Sequence, residues 1–443
     1  MKFFLLVLFM LAAFINVKAT HLMGGEITWE CIKTGSNAGF YVFQVKVYRD
    51  CQGVPISTIM NLNVHNVPGM TTIPLNWISG TDISPVCDTI NGPNPQFSCN
   101  GLNQGMSTFD PGAVEEHIYR SDTIRIIGTP DANGWHFTWS SCCRNAAIVN
   151  LVNPDAQGFT LRAAMYPYTD PNTGLVLPAD PCFDSSPVFN ESPKTIICAG
   201  YPFAYSHNAS DPELDSIRYY WAEPLDDFTG TYDPDPANNS PGALAFTGGT
   251  PPYTFNSPIP GGVNMNPISG EISYSTTVSN AGSYATVTRV EAFKCGQKVA
   301  EIHRDIQAVL IACPSMPGGG GVNNPPILTA PVGSQTWITT ISPTGLPTYS
   351  TTVTAGEFIT FNVIAEDLDL YNIAGGGTVP QDLTMEISGG QMLDPFTGTC
   401  PNPPCATFTD LAGNPPPIIS PTTTEGIFEW QTSCDHVSID IAC

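Results

Sequence analysis

Short extended runs, broken by turn dipeptides, constrain this chain more than any other feature. Over residues 40–49 the sequence alternates, with Val45 and Val47 on one face and Gln44 and Lys46 on the other. That period of two is the pattern of a strand with one buried side. Residues 122–127 and 135–139 alternate in the same way and are predicted as strands. Asn-Gly, Asn-Pro, Asp-Pro and Gly-Gly pairs separate such runs and supply turn chemistry. No segment of three helical turns carries apolar residues at helical spacing. The expected fold is all-β: tandem β-sandwiches, immunoglobulin-like or cadherin-like, after an N-terminal β domain.

The length of 443 residues suits about three domains of ~150 residues. Charged residues make up 12% of the chain, about half the usual share. The formal charge of −24 argues against nucleic acid or an anionic membrane as partner, because no basic patch exists to release phosphate counterions. Residues 1–19 read as a signal peptide: Lys2, an apolar stretch, then Val17-Lys18-Ala19 as a small-x-small cleavage site. The apolar stretch is too short to span a bilayer, and no later segment is predicted as a transmembrane anchor. All 14 Cys follow the leader, which in an exported chain predicts disulfides. The expected organisation is a signal peptide at 1–19, an N-terminal β domain at 20–183 and a sandwich at 184–314. A Gly/Pro linker at 315–324 then leads to a second sandwich at 325–443, expected to be incomplete at its C-terminal end.

Charge is distributed unevenly. From Asp305 to Cys443 there is no Lys or Arg, against 13 acidic residues. Such a segment repels itself unless cations screen or bind it, which directs attention to metal. The candidate ligands are Asp211, Glu213 and Asp215 after one strand-like run, and Glu366, Asp367 and Asp369 after another. Carboxylates at alternate positions in a turn can converge on Ca²⁺, which takes 6–8 oxygens from such loops. The competing reading is an acidic turn facing water. Asp184 stands at a block junction and could add an oxygen.

Other motifs speak for architecture. Cys142 and Cys143 are adjacent; on a strand they point to opposite faces and are expected to bond to different partners. Cys400 and Cys405 are expected to close a small loop. Trp135 and Trp139 share a strand face, expected to pack in a core rather than stack on a sugar. No Gly-x-Ser-x-Gly, phosphate loop or His-Glu-x-x-His occurs, so the chain is read as not an enzyme.

Several of these residues resemble a known family. Thr20-His21-Leu22-Met23-Gly24-Gly25-Glu26-Ile27-Thr28-Trp29-Glu30-Cys31, Cys142-Cys143-Arg144-Asn145, Ser186-Pro187-Val188-Phe189-Asn190 and Ser210-Asp211-Pro212-Glu213-Leu214-Asp215-Ser216 are similar to the N-terminal region of the gliding-motility-associated C-terminal-domain proteins secreted by gliding gram-negative bacteria. The resemblance covers nearly all of the chain after the leader. It implies tandem cadherin-like or immunoglobulin-type sandwiches at the cell surface or outside the cell, and export through the type IX secretion system. It also implies calcium-binding carboxylates at the two acidic groups, and O-glycosylation at short sites such as Asp88-Thr89-Ile90, Asp122-Thr123-Ile124 and Asp215-Ser216-Ile217. The expected function is a non-catalytic structural or adhesive protein, binding a surface polysaccharide or protein and stiffened by Ca²⁺. Two alternatives stand beside it: a lectin-like carbohydrate binder using Trp135, Trp139 or Trp221, and a secreted hydrolase with β accessory domains.

Overall fold

The protein, seen in a computed structural model, is described for residues 22–51, 53, 55–84, 113–193, 196–199, 202–261, 263–275, 282–311, 326–342, 345–372, 376–380, 382–393 and 399–437. The expected leader at 1–19, the linker at 315–324 and the Asp88-Thr89-Ile90 site fall outside these residues. Among the described residues the chain is all-β, its helical turns limited to three-residue 3-10 segments such as Pro154–Ala156.

Seven strands open the fold: β1 (Leu22–Cys31), β2 (Tyr41–Asp50), β3 (Ile59–His65), β4 (Thr72–Asp82), β5 (Val114–Ser121), β6 (Trp135–Cys142) and β7 (Gly158–Met165). They pair antiparallel in the order β1-β2-β5-β4-β3-β6-β7. The alternation expected over 40–49 is β2, with Val45 and Val47 fully buried. The run at 122–127 does not form a strand; only Ile124 bridges back, to Tyr41. Inside, Phe43 and Phe137 lie 4.5 Å apart between ring centroids, and Trp29 sits 6.2 Å from Phe137. Trp135 is buried in this core and Trp139 packs against it, as their shared face implied.

The next strands are short: β8 (Val188–Phe189), β9 (Ile196–Cys198), β10 (Pro202–Ser206), β11 (Ala209–Ser210), β12 (Ser216–Trp221), β13 (Val263–Met265) and β14 (Glu271–Ser275). A long hairpin follows, β15 (Gly282–Lys294) and β16 (Gln297–Ile311). Its two-residue turn holds Cys295 and Gly296 at φ 50° and 73°, the left-handed pair that a tight hairpin needs. The far edge of β16 does three things in succession. Ala300–Ile302 pairs with β7, Arg304–Ile306 pairs with β1, and the end of the strand pairs in parallel with β9. β1 and β7 are therefore joined through β16, and eight strands form a closed circuit without free edges. The ladder crosses the boundary expected at 184. The apolar core crosses it too, running from Phe43 and Phe137 to Phe189, Tyr219 and Val290. On the other side of the hairpin, β13, β14 and β10 form a sheet packed through Ile272, Tyr274, Tyr284 and Leu310.

Polar residues fasten the closure. Glu26 and Arg304 are direct cross-strand partners and form a buried ion pair. The next residue, Asp305, faces the opposite way and takes both guanidinium ends of Arg144, at 3.2 and 2.7 Å. Arg144 also donates to the Gly158 and Leu225 carbonyls. Ser185 and Ser186 accept from the backbone amides of Cys31 and Trp29, while Asn150 bonds to Pro258 and, in both directions, to Ala285. Gly24 and Gly25 permit the close approach of β1: a Cβ on Gly24 would stand 2.1 Å from the Asp305 carbonyl oxygen, and one on Gly25 2.6 Å from Leu161.

A smaller unit ends the described chain. The strands β17 (Ile327–Leu328) and β18 (Val332–Gly333) lie on β21 (Phe358–Glu366), and the hairpin β19 (Ile338–Ile341) with β20 (Pro347–Ser350) stands apart from that sheet. β22 (Leu370–Asn372) pairs with β23 (Thr378–Pro380), and β24 (Asp382–Met385) with β26 (Ile418–Pro421). β25 (Thr407–Thr409) and β27 (Thr423–Gln431) complete the larger sheet. Its core is small, centred on Met385, Phe408 and Ile418.

Disulfides join Cys31 to Cys182 and Cys400 to Cys405, and Cys51 and Cys295 are also bonded. Cys142 and Cys143 bond to each other rather than to different partners. Strand β6 ends at Cys142, so the alternation that would send the two side chains to opposite faces no longer applies at Cys143. Cys434 is a free, exposed thiol.

Two substitutions test the closure by urea denaturation. Asp305→Ala leaves Arg144 buried without its partner and is expected to cost about 3–5 kcal/mol, while Arg144→Met with Asp305→Leu together costs less than Asp305→Ala alone. Gly24→Ala is expected to lower the urea midpoint clearly, because its Cβ meets backbone rather than a movable side chain; an unchanged midpoint would refute the close approach.

Candidate functional site

The acidic run after β11 folds as a tight loop. Asp211 is buried and its Oδ1 accepts the amides of Glu213 at 2.9 Å and Asp215 at 3.1 Å. Competition of an Asp side chain for nearby amides is the usual way such a turn is held. Leu214 carries the left-handed conformation the turn requires, at φ 63°. Glu213 then reaches back to Ser185, accepting from its amide at 3.1 Å and its hydroxyl at 3.0 Å, and pairs with Lys33 at 2.9 Å. Asp215 meets Lys294 Nζ at 2.5 Å, and buried Asp184 stands 3.3 Å from the same ammonium. The three carboxylates expected at the first site thus lie at one junction together with Asp184, beside a groove of about 1210 Å³.

Electrostatics there are set by burial. Burial, then the charges of Asp215 and Glu213, push the Asp211 carboxyl up to about 8. Burial holds Asp184 well above the usual range even though Lys294 pulls the other way. For Lys294 burial alone would lower the pKa, but Asp184 and Asp215 outweigh it and the ammonium is held more firmly than usual. Buried Asp211 Oδ2 has no hydrogen-bond partner, whereas buried Asp184 Oδ1 is met by the Lys294 ammonium. Lys294 Nζ lies between Asp184 and Asp215. Among the described residues no group of three or more His, Cys, Asp or Glu side chains is arranged to hold a metal.

The second expected site repeats the turn without the cluster. Asp367 is buried and its Oδ1 accepts the Asp369 amide at 2.9 Å. Glu366 ends β21 and is exposed, because neighbours on a strand face opposite sides.

Sequence reasoning missed a second charged centre. Glu301 on β16 accepts from His303 at 2.8 Å, Lys298 at 3.0 Å and Tyr166 at 3.3 Å, with Arg162 3.5 Å away. Burial works against this carboxylate, but the hydrogen bond from His303 and the nearby cations hold it well below the usual range. Burial, then Arg162, lowers His303 to about 4, so it stays neutral at ordinary pH. The available signal was alternation of Glu301, His303 and Asp305 with Ile302, Arg304 and Ile306, which marks a strand carrying polar groups on both faces.

No family model and no curated protein matches the chain. Solved structures that align with it include the N-terminal four Ig domains of Dscam1 isoforms 4.44 and 7.44. They share 11% and 10% identity, cover 80% and 94% of this chain and 95% and 90% of their own, and give TM-scores of 0.15 and 0.14. No helix among the described residues is long and apolar enough to cross a membrane.

Asp211 makes a pH signature. Its folded pKa is raised, so its contribution favours the fold at low pH and is lost as pH rises toward about 8. Between about pH 8 and pH 6.5 this contribution should make stability rise on acidification by up to about 1.4 kcal/mol per pH unit. Below about pH 6.5 the depressed His303 and His65, both near 4, reverse the trend. Asp211→Asn keeps an oxygen for the two amides and should flatten the upper slope; urea titrations showing the same slope in both proteins would overturn this account.

Proposed function

We propose that this chain is an exported structural or adhesive protein of the cell surface or extracellular space, of the kind its motifs resemble, and that it is not an enzyme. The observation that carries the reading is where the distinctive residues are spent. Glu26, Arg144 and Ser186, from the resembling motifs, are buried and bind other parts of the chain, as do Asn150, Ser185, Arg304 and Asp305, so these residues lock strands together. Disulfides belong to an oxidising compartment, and Cys31–Cys182 spans a separation of 151 residues. A rigid, cross-linked and strongly acidic body suits a part that presents surfaces to neighbours while resisting self-association. The ligand in this reading is a surface polysaccharide or protein, and export follows the leader at 1–19 and then the type IX route.

Calcium enters the reading as reinforcement of the junction at Asp184, Asp211, Glu213 and Asp215. Asp211 Oδ2, buried and without a partner, is the oxygen that would gain most from a cation. The hydrolase alternative has no supporting observation in the geometry of these carboxylates, which are occupied by Ser185, Lys33 and Lys294.

Fractionation of cells expressing the full chain should recover it outside the cytoplasm, without its leader and with Cys31–Cys182 oxidised by mass spectrometry. A cytosolic protein with reduced thiols would defeat the proposal. Calcium is tested separately: at neutral pH, added chelator should lower the melting temperature and added Ca²⁺ restore it, and a melting curve indifferent to both removes calcium while leaving the structural role standing.

A further inference from the structure

Lys294 stands where a covalent bond can form. Its Nζ lies 2.5 Å from Asp215 Oδ2 and 3.3 Å from Asp184 Oδ1, and the lysine and the two carboxylates are 19%, 7% and 7% exposed. The backbone fixes each of them. Lys294 ends β15 and Asp215 directly precedes β12. Ser216 and Phe293 set these two strands in register, and the Ser216 hydroxyl donates to the Phe293 carbonyl at 3.2 Å. Asp211 Oδ1 holds the Asp215 amide at 3.1 Å, and Trp29 Nε1 donates to the Asp184 carbonyl at 3.3 Å. An amine and a carboxyl held in contact by a rigid frame react at effective concentrations far above any reached in solution.

Contact alone does not separate an amide from an ion pair. Amide formation also needs a neutral amine, a protonated carboxyl and a group that passes protons between them. Asp184 is placed to be that group: its buried Oδ1 meets only the Lys294 ammonium, and burial holds its carboxyl well above the usual range although Lys294 pulls the other way. Against its own burial, Lys294 rests as the ammonium because Asp184 and Asp215 face it. A proton passed across the contact to Asp215 gives the uncharged amine and acid, the forms that burial favours, with no heavy atom displaced. Lys294 Nζ then attacks Asp215 Cγ. The bond that forms is Nζ–Cγ, and the bond that breaks is one Cγ–O bond of Asp215. Asp184 gives its proton to the departing oxygen and takes one from Nζ, so one water leaves and Asp184 ends as it began. No oxidant, metal or co-reactant enters. Lys298 makes a similar contact with Glu301 at 3.0 Å. Although buried, Glu301 is held well below the usual range by His303 and the nearby cations, and that pair stays a salt bridge.

We propose that Lys294 and Asp215 join in an intramolecular isopeptide bond, with Asp184 as the proton-transfer group. The bond links residues 79 apart and staples β12, the outermost strand of the large sheet beyond β15 and β16, to the long hairpin. It forms within the folded chain and depends neither on export nor on a ligand. The full mature chain, denatured, reduced and alkylated so that no disulfide contributes, is measured by intact mass spectrometry and then digested with trypsin. Its mass should fall one water below that of the sequence. Tandem spectra should show residues 195–218 joined to residues 290–298, with the chain uncut after Lys294. A succinimide at Asp215 has the same mass deficit but leaves Lys294 cleavable, and that result counts against the proposal. Lys294→Arg keeps a cation between the carboxylates and should abolish both the deficit and the branched peptide. Asp184→Asn should slow branching by about a hundredfold, followed over time after synthesis, with circular dichroism reporting the fold. Should either variant fail to fold, the wild-type peptides decide alone. Asp215 and Lys294 recovered in separate peptides of the wild-type chain, or branching undiminished in either variant, would overturn the proposal.

Discussion

Two consecutive residues, Arg304 and Asp305, hold this fold together from opposite faces of one strand. Arg304 pairs with Glu26 of β1 and is stacked 4.0 Å from the Phe189 ring; Asp305 binds Arg144 at the start of the segment leading to β7. Neither pair can be left half-made, because an unpaired buried charge costs far more than the completed pair returns. Register between β1 and β16 is thereby fixed: a slip of one residue would place Arg304 where Asp305 belongs and bring like charges together. The close approach at Gly24 and Gly25 follows from the same requirement, since β1 must come near enough for Glu26 to meet its partner.

This arrangement explains which parts were legible in the sequence. Strands with one wet face could be read from alternation, as in β2, where Gln44 and Lys46 remain partly exposed and the valines vanish. The hairpin of β15 and β16 was not read, because it is covered on both faces and carries Glu301, His303, Arg304 and Asp305 inside. A rule that equates polar with exposed fails on such a strand. The run at 122–127 failed for the opposite reason. It has the right alternation, but β1 and β5 already occupy the two edges of β2, leaving only the single bridge at Ile124 and Tyr41.

The acidic junction was legible as a cluster and illegible in its chemistry. Spacing alone brought Asp211, Glu213 and Asp215 to one loop, because an Asx turn makes alternate side chains converge. It could not show that Lys294, some 80 residues later in the chain, would enter between Asp184 and Asp215. The lysine comes from the end of β15, and only the β15–β12 pairing, which sets Phe293 opposite Ser216, delivers it there. Lys294 supplies the junction with a cation from the chain itself, between buried Asp184 and half-buried Asp215.

The closed circuit also bears on how the chain must assemble. Glu26 meets Arg304 across 278 residues, so the first strand waits for nearly the last strand of the larger body before its edge is covered. Contacts of such sequence separation are slow to form, since loop closure must precede any return from pairing. Until β16 arrives, β1 and β7 present open edges, the condition that invites pairing with other chains. The segment 184–186 partly answers this by bonding to Trp29 and Cys31, and Cys31–Cys182 ties it in place. That disulfide holds the far end of β1 against the segment after β7 before the hairpin is available, so its contribution is largest in the partly assembled chain. The described residues up to 183 and those of the long hairpin thus share one ladder and one apolar core, and the ion pairs at Arg304 and Asp305 join parts of it that are far apart in sequence.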